Sequence, residues 1–105
     1  MNIADIHRYR EAIVAFCIRW KIKEFALFGS ILREEDFGTD SDVDVLVTFS
    51  EESRWTLFDM VDMQEELERI FGRKVDLVSR RGIESSRNRI RRDAVLSSAK
   101  VVYAA

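Results

Sequence analysis

Two aspartates separated by one residue, Asp42 and Asp44, open the apolar run Asp42-Val43-Asp44-Val45-Leu46-Val47-Thr48-Phe49. If that run is a strand, residues two apart share a face, so both carboxylates emerge together while Val43, Val45 and Val47 take the opposite side. Unit charges ~4–5 Å apart repel by roughly 3–4 kcal/mol at an effective dielectric of ~20, which a proton or a cation must offset. Hard oxygen donors at this spacing suit Mg2+ or Mn2+, ions that also take phosphate oxygens as ligands. Asp76 repeats the pattern, an acid between apolar Val75 and Leu77. Should its strand lie beside the first, three carboxylates converge. That is the donor set of a two-metal phosphoryl-transfer centre, in which the third acid can also accept the nucleophile's proton.

Gly29-Ser30 supplies the complementary half. It follows the short apolar run Glu24-Phe25-Ala26-Leu27-Phe28, which reads as a buried strand entering a tight turn. A glycine there lets the backbone approach a phosphate, a following helix start favours anions, and Ser30 adds a hydroxyl donor. Arg33, one turn on, is placed to meet a phosphate or a carboxylate.

The elements that must position these groups follow from periodicity. Ile6, Tyr9, Ile13, Phe16, Cys17 and Trp20 recur at helical spacing over residues 3–20. A short helix is expected from Ile31 to Glu35, then a polar loop through Gly38-Thr39-Asp40-Ser41. Leu57, Met60, Val61, Gln64, Leu67, Ile70 and Phe71 form the next helix, with Gly72 at its end. Val75 to Ser79 reads as a third strand and Ser85 to Ser98 as a helix that buries Ile83, Ile90, Val95 and Leu96 in its vicinity. Val101-Val102-Tyr103 reads as a short edge strand or a terminal docking segment. The expected fold is α/β (α+β): one mixed sheet of three to four strands with helices packed mainly on one side. A chain of 105 residues implies a single domain, 1–105.

Composition excludes several classes. With 47% apolar residues the chain can bury a core, which argues against global disorder. A net charge of −2 argues against coating nucleic acid through bulk charge, and no membrane partner is expected. The start Met1-Asn2-Ile3-Ala4-Asp5 has no basic segment leading into an apolar one, so a cytoplasmic location is expected. Cys17 is the single cysteine, which rules out an intramolecular disulfide and reads as a small core residue. The arginines at 80, 81, 87, 89, 91 and 92 have no aromatic residue among them, which disfavours single-strand nucleic-acid binding. They read as a solvated helix face or a docking surface for an acidic partner. His7 reads as a surface residue, and Trp20 and Trp55 as packing residues.

Taken together, Gly29-Ser30-Ile31-Leu32-Arg33, Ser41-Asp42-Val43-Asp44-Val45-Leu46-Val47 and Gly72-Arg73-Lys74-Val75-Asp76-Leu77-Val78 resemble the minimal nucleotidyltransferase family of the DNA polymerase β-like superfamily. The resemblance covers most of the chain and implies the polymerase β-like palm. By the family pattern Asp42, Asp44 and Asp76 are the catalytic and metal-binding acids, with Mg2+ (or Mn2+) as cofactor and ATP as substrate. Gly29 and Ser30 hold the triphosphate, and Arg33 and Ser41 complete the expected nucleotide-binding set. The sequence departs from the pattern after Gly-Ser, where Leu32 precedes Arg33 and Glu34-Glu35 replaces a glycine. The resemblance further implies an antitoxin that transfers AMP to a hydroxyl, expected on a tyrosine, of a cognate HEPN ribonuclease toxin. The alternatives are an idle antitoxin that neutralises by stoichiometric binding, and nucleotidyl transfer to RNA.

Overall fold

The computed structural model describes residues 3–32 and 42–105. A 3-10 segment, Ile3–Tyr9, runs into helix α1 (Arg10–Arg19), followed by strand β1 (Ile22–Phe28) and a 3-10 turn, Gly29–Leu32. Strand β2 (Val43–Phe49), helix α2 (Leu57–Phe71) and strand β3 (Val75–Ser79) come next. The short helix α3 (Arg80–Glu84), helix α4 (Arg89–Ser98) and strand β4 (Lys100–Ala104) close the described chain. The four strands form one mixed sheet in the order β3-β2-β1-β4, with β2 and β3 parallel and both other pairings antiparallel. Val101-Val102-Tyr103 is thus an edge strand beside β1, and Tyr103 is half-buried against the rim of the core.

Alternation along the strands decides where the core lies. Val43, Val45, Val47, Val75, Leu77, Phe25 and Leu27 face one side and pack with Ile13, Phe16 and Cys17 of α1 and Met63, Leu67 and Phe71 of α2. In α2 the buried positions recur every fourth residue, as one helix face requires. The opposite face carries a smaller cluster, Ala26, Phe28 and Leu46, covered by Ile83 of α3 and Val95 of α4. Helices α1 and α2 therefore share the face of the larger core, as expected, and α3 and α4 cover part of the other. The region read as one helix from Ser85 to Ser98 begins at Arg89, because Asn88 caps it by accepting from the Arg91 backbone N–H at 3.1 Å. Val95 of this helix is buried, and Ile90, five residues earlier and so about 140° around the helix, turns outward, 86% exposed, in place of the expected burial.

Both ends of α2 are locally determined. The Thr56 hydroxyl accepts from the Asp59 amide at 3.2 Å while the Asp59 carboxylate accepts from the Thr56 amide at 2.8 Å, a reciprocal cap. Gly72 stops the helix in the left-handed conformation at φ 69°. Side chains of α2 also serve edge strand β3: Glu68 accepts from the Val75 amide at 3.1 Å and Gln64 from the Leu77 amide at 3.5 Å. Glu66 accepts from Arg19 at 2.7 Å and from the Trp20 indole at 3.4 Å. Trp20 and Trp55 stack edge to face at 5.1 Å and the Trp55 indole donates to the Trp20 carbonyl, so both are packing residues. His7 is exposed.

Cys17 is wholly buried, and burial pushes its thiol up to about 12. At pH 8 only about one molecule in ten thousand then carries a thiolate. The folded protein is expected to resist maleimide or disulfide-exchange reagents at pH 8 and to react fully once unfolded in guanidinium chloride. Rapid labelling under native conditions would contradict this packing.

Candidate active site

The parallel ladder pairs Asp44 of β2 with Asp76 of β3. Residues paired in register on parallel strands point to the same face, and the strands are ~4.8 Å apart, so the two carboxylates stand side by side. Across β1 the same row continues to Phe28, which pairs with Asp44. The next row inward, Ala26-Leu46-Val78, is roofed by α3 and α4. The acids thus sit one row beyond the apolar patch, where the second face opens. Asp44 is half-buried, Asp76 is 47% exposed and Asp42 is exposed just ahead of β2.

The turn leaving β1 is shaped around Asp44. Gly29 adopts φ 76°, and a Cβ there would collide with the Asp44 Oδ2 atom and come within 3.1 Å of its Cγ. Close approach to a phosphate is therefore not this glycine's sole requirement, because it also vacates the space that a carboxylate occupies. Ser30 follows on the same 3-10 turn. Arg33 and Ser41 lie outside the described residues.

Gly29, Asp44 and Asp76 line a cleft of about 320 Å³ with Phe28 on one side and Arg91, Ala94, Val95 and Ser98 of α4 on the other. The Arg91 guanidinium stands 3.7 Å from the Asp76 carboxylate. Sequence reasoning places Arg91 with a solvated or docking face and misses it as a site residue. Its neighbours Arg80 and Arg92 pair on their own helices, with Glu84 at 3.8 Å and Asp93 at 3.5 Å. A larger groove, about 400 Å³, runs between α1 and α2, but its Arg19 and Glu66 already neutralise each other.

As donors, Asp44 and Asp76 fit a hard divalent cation: two carboxylates in register, aimed into one cleft. Among the described residues no three acidic, histidine or cysteine side chains stand close enough to enclose an ion. Those described residues also contain no helix long and apolar enough to cross a membrane.

Comparison with known proteins bears on this geometry. The nucleotidyltransferase domain family matches residues 10–100. A candidate protein adenylyltransferase of Methanocaldococcus jannaschii, MJ0435, is 35% identical over 96 residues, 90% of this chain and 97% of its own. Protein adenylyltransferase MntA of Thermococcus cleftensis is 39% identical over 67 residues, 64% of this chain, and the match spans 65% of MntA. A solved candidate minimal nucleotidyltransferase superposes with a TM-score of 0.71 at 35% identity, covering 95% of both chains. At 17% identity and a TM-score of 0.63, covering 94% of this chain and 72% of the other, the fold also matches a structure of a tri-AMPylated Shewanella oneidensis HEPN toxin in complex with MNT antitoxin.

Two glycines separate the two demands on the turn. Gly72 has φ 69°, and a methyl group added to it would meet no atom within 4 Å, so Gly72→Ala is expected to lose only the ~1–2 kcal/mol of left-handed backbone strain. Gly29→Ala carries that strain and must also displace Asp44, so denaturant unfolding is expected to show a clearly larger loss. Equal losses would mean that Asp44 does not rest against the turn.

Proposed function

Because this chain belongs to the nucleotidyltransferase domain family, in its minimal form, we propose that it is an antitoxin that transfers AMP from ATP to a hydroxyl of a HEPN toxin. The observation that carries the chemistry is the register pair Asp44–Asp76, set in one cleft beside the Gly29 turn. The activity follows MntA and MJ0435, named for protein adenylylation. The partner follows the antitoxin of shared fold whose HEPN toxin carries AMP. We read residues 1–105 as one domain. We assign it to the cytoplasm, where ATP is plentiful and a lone thiol such as Cys17 stays reduced.

In this reading the Gly29–Ser30 turn binds the triphosphate through backbone N–H groups and the Ser30 hydroxyl, with Arg33 and Ser41 completing the nucleotide site. Asp42, Asp44 and Asp76 would hold Mg2+ or Mn2+, which neutralises phosphate charge and assists departure of pyrophosphate. The acceptor oxygen, expected on tyrosine, forms a bond to the α-phosphorus as the bond from that phosphorus to the bridging oxygen breaks. Pyrophosphate leaves, and the hydroxyl proton passes to the Asp76 carboxylate. The cleft is open, so in this reading the acceptor arrives on a second macromolecule rather than in a closed pocket.

A second reading, neutralisation by stoichiometric binding, draws on one observation. Leu57 and Phe58 are each 84% exposed and Val61 is 53% exposed at the start of α2, a face that a tightly bound partner would cover. That end of α2 follows the far end of β2 and is remote from Asp44.

Transfer is tested by incubating the protein and its toxin with radioactive ATP and Mg2+, with intact-mass measurement of the toxin. Asp42→Asn and Asp44→Asn are expected to abolish labelling, and Asp76→Asn to slow it by ~10²–10⁴-fold. Undiminished labelling by these variants would overturn the assignment. Full protection of cells co-expressing toxin and the Asp42/Asp44 double variant would favour neutralisation by binding.

A further inference from the structure

Helix α4 presents a consistent face to the cleft. Arg91, Ala94, Val95 and Ser98 are spaced at three and four residues and all line it. Ala94 and Ser98 are small, and Arg91 is the long side chain of this face. Its guanidinium is half-exposed and 3.7 Å from Asp76, too long for a well-formed hydrogen bond. An exposed pair of this kind is weak and easily exchanged. Yet its position is not incidental, because it offsets the repulsion between two carboxylates that the β2–β3 register forces together. Arginine is also the side chain whose planar donor fork best matches phosphate oxygens.

We propose that Arg91 is an exchangeable counter-cation: it neutralises Asp76 in the free protein and moves to the phosphates of the nucleoside triphosphate when that ligand enters with its divalent cation. This rests on the nucleotidyl-transfer reading above and adds a nucleotide-binding residue to it. The carboxylates change partner from guanidinium to metal, and the guanidinium changes partner from carboxylate to phosphate. The exchange makes opposite demands on the two ligands, since Arg91 competes with a metal ion offered alone and assists a nucleotide.

Calorimetric titration of the full chain with Mn2+ alone, and separately with AMP-PNP in the presence of Mg2+, reads both demands without requiring turnover. Arg91→Ala is expected to bind Mn2+ alone ~2–5-fold more tightly, because a competing cation is gone. The same variant is expected to bind AMP-PNP at least ~10-fold more weakly, having lost a charge-assisted phosphate contact. Arg91→Lys keeps the charge without the fork and is expected to fall between, which decides the matter if the alanine variant does not fold. Arg89→Ala, on the other side of the helix, removes the same charge and is expected to leave both affinities within ~2-fold of the parent. Unchanged AMP-PNP affinity in Arg91→Ala, loss of both ligands together, or an equal effect from Arg89→Ala would each overturn the proposal. A parent protein that transfers AMP while Arg91→Ala binds normally refutes only this inference, whereas a parent that binds no nucleotide refutes both readings.

Discussion

Everything in the cleft depends on the parallel pairing of β2 with β3. Two strands can run parallel only if the chain returns to its starting end between them, and here α2 makes that return. The lengths agree: fifteen helical residues span about 22 Å and seven strand residues about 23 Å. Thr56 and Gly72 fix where the helix begins and stops, so β3 starts beside Val43 rather than a residue early or late. A slip of one residue would invert β3, sending Asp76 into the apolar layer and Leu77 into the cleft.

The same alternation divides the molecule into a layer that holds it together and a layer that holds the acids. Odd-numbered residues of β2 and β3 anchor α1 and α2, and this larger core needs nothing from the other face. Even-numbered residues are apolar only as far as α3 and α4 reach. Beyond that roof the row turns acidic, and Gly29 gives up a side chain so that Asp44 can stand upright. Like charges are tolerable there because water and Arg91 both reach them.

How much of this is readable without coordinates differs by element. Strand parity alone predicts that Asp42 and Asp44 leave the core face, and the apolar spacing of Leu57 to Phe71 predicts α2 with both its bounds. That Asp76 is Asp44's neighbour requires knowing strand order, which local pattern does not contain. Asp42, one step outside the strand, is not held beside the other two by the ladder that holds them. Arg91 is hidden because it lies one turn before buried Val95 on the face that meets the cleft, while an arginine on a charged helix ordinarily signals solvent. The bonds from Glu68 and Gln64 to β3 are equally illegible, since glutamate and glutamine on a helix ordinarily signal solvent.

Those two bonds have an effect on assembly. An edge strand normally offers a row of unpaired amides to which a foreign strand can add. On β3 the outward amides of Val75 and Leu77 are already taken by α2, which removes two of the donors an added strand would use. The remaining edge is β4, about 14 Å away across three strand spacings. A chain that adds to β4 does so on the border farthest from Asp76. Edge-to-edge association and access to the acids are kept apart by the width of the sheet itself.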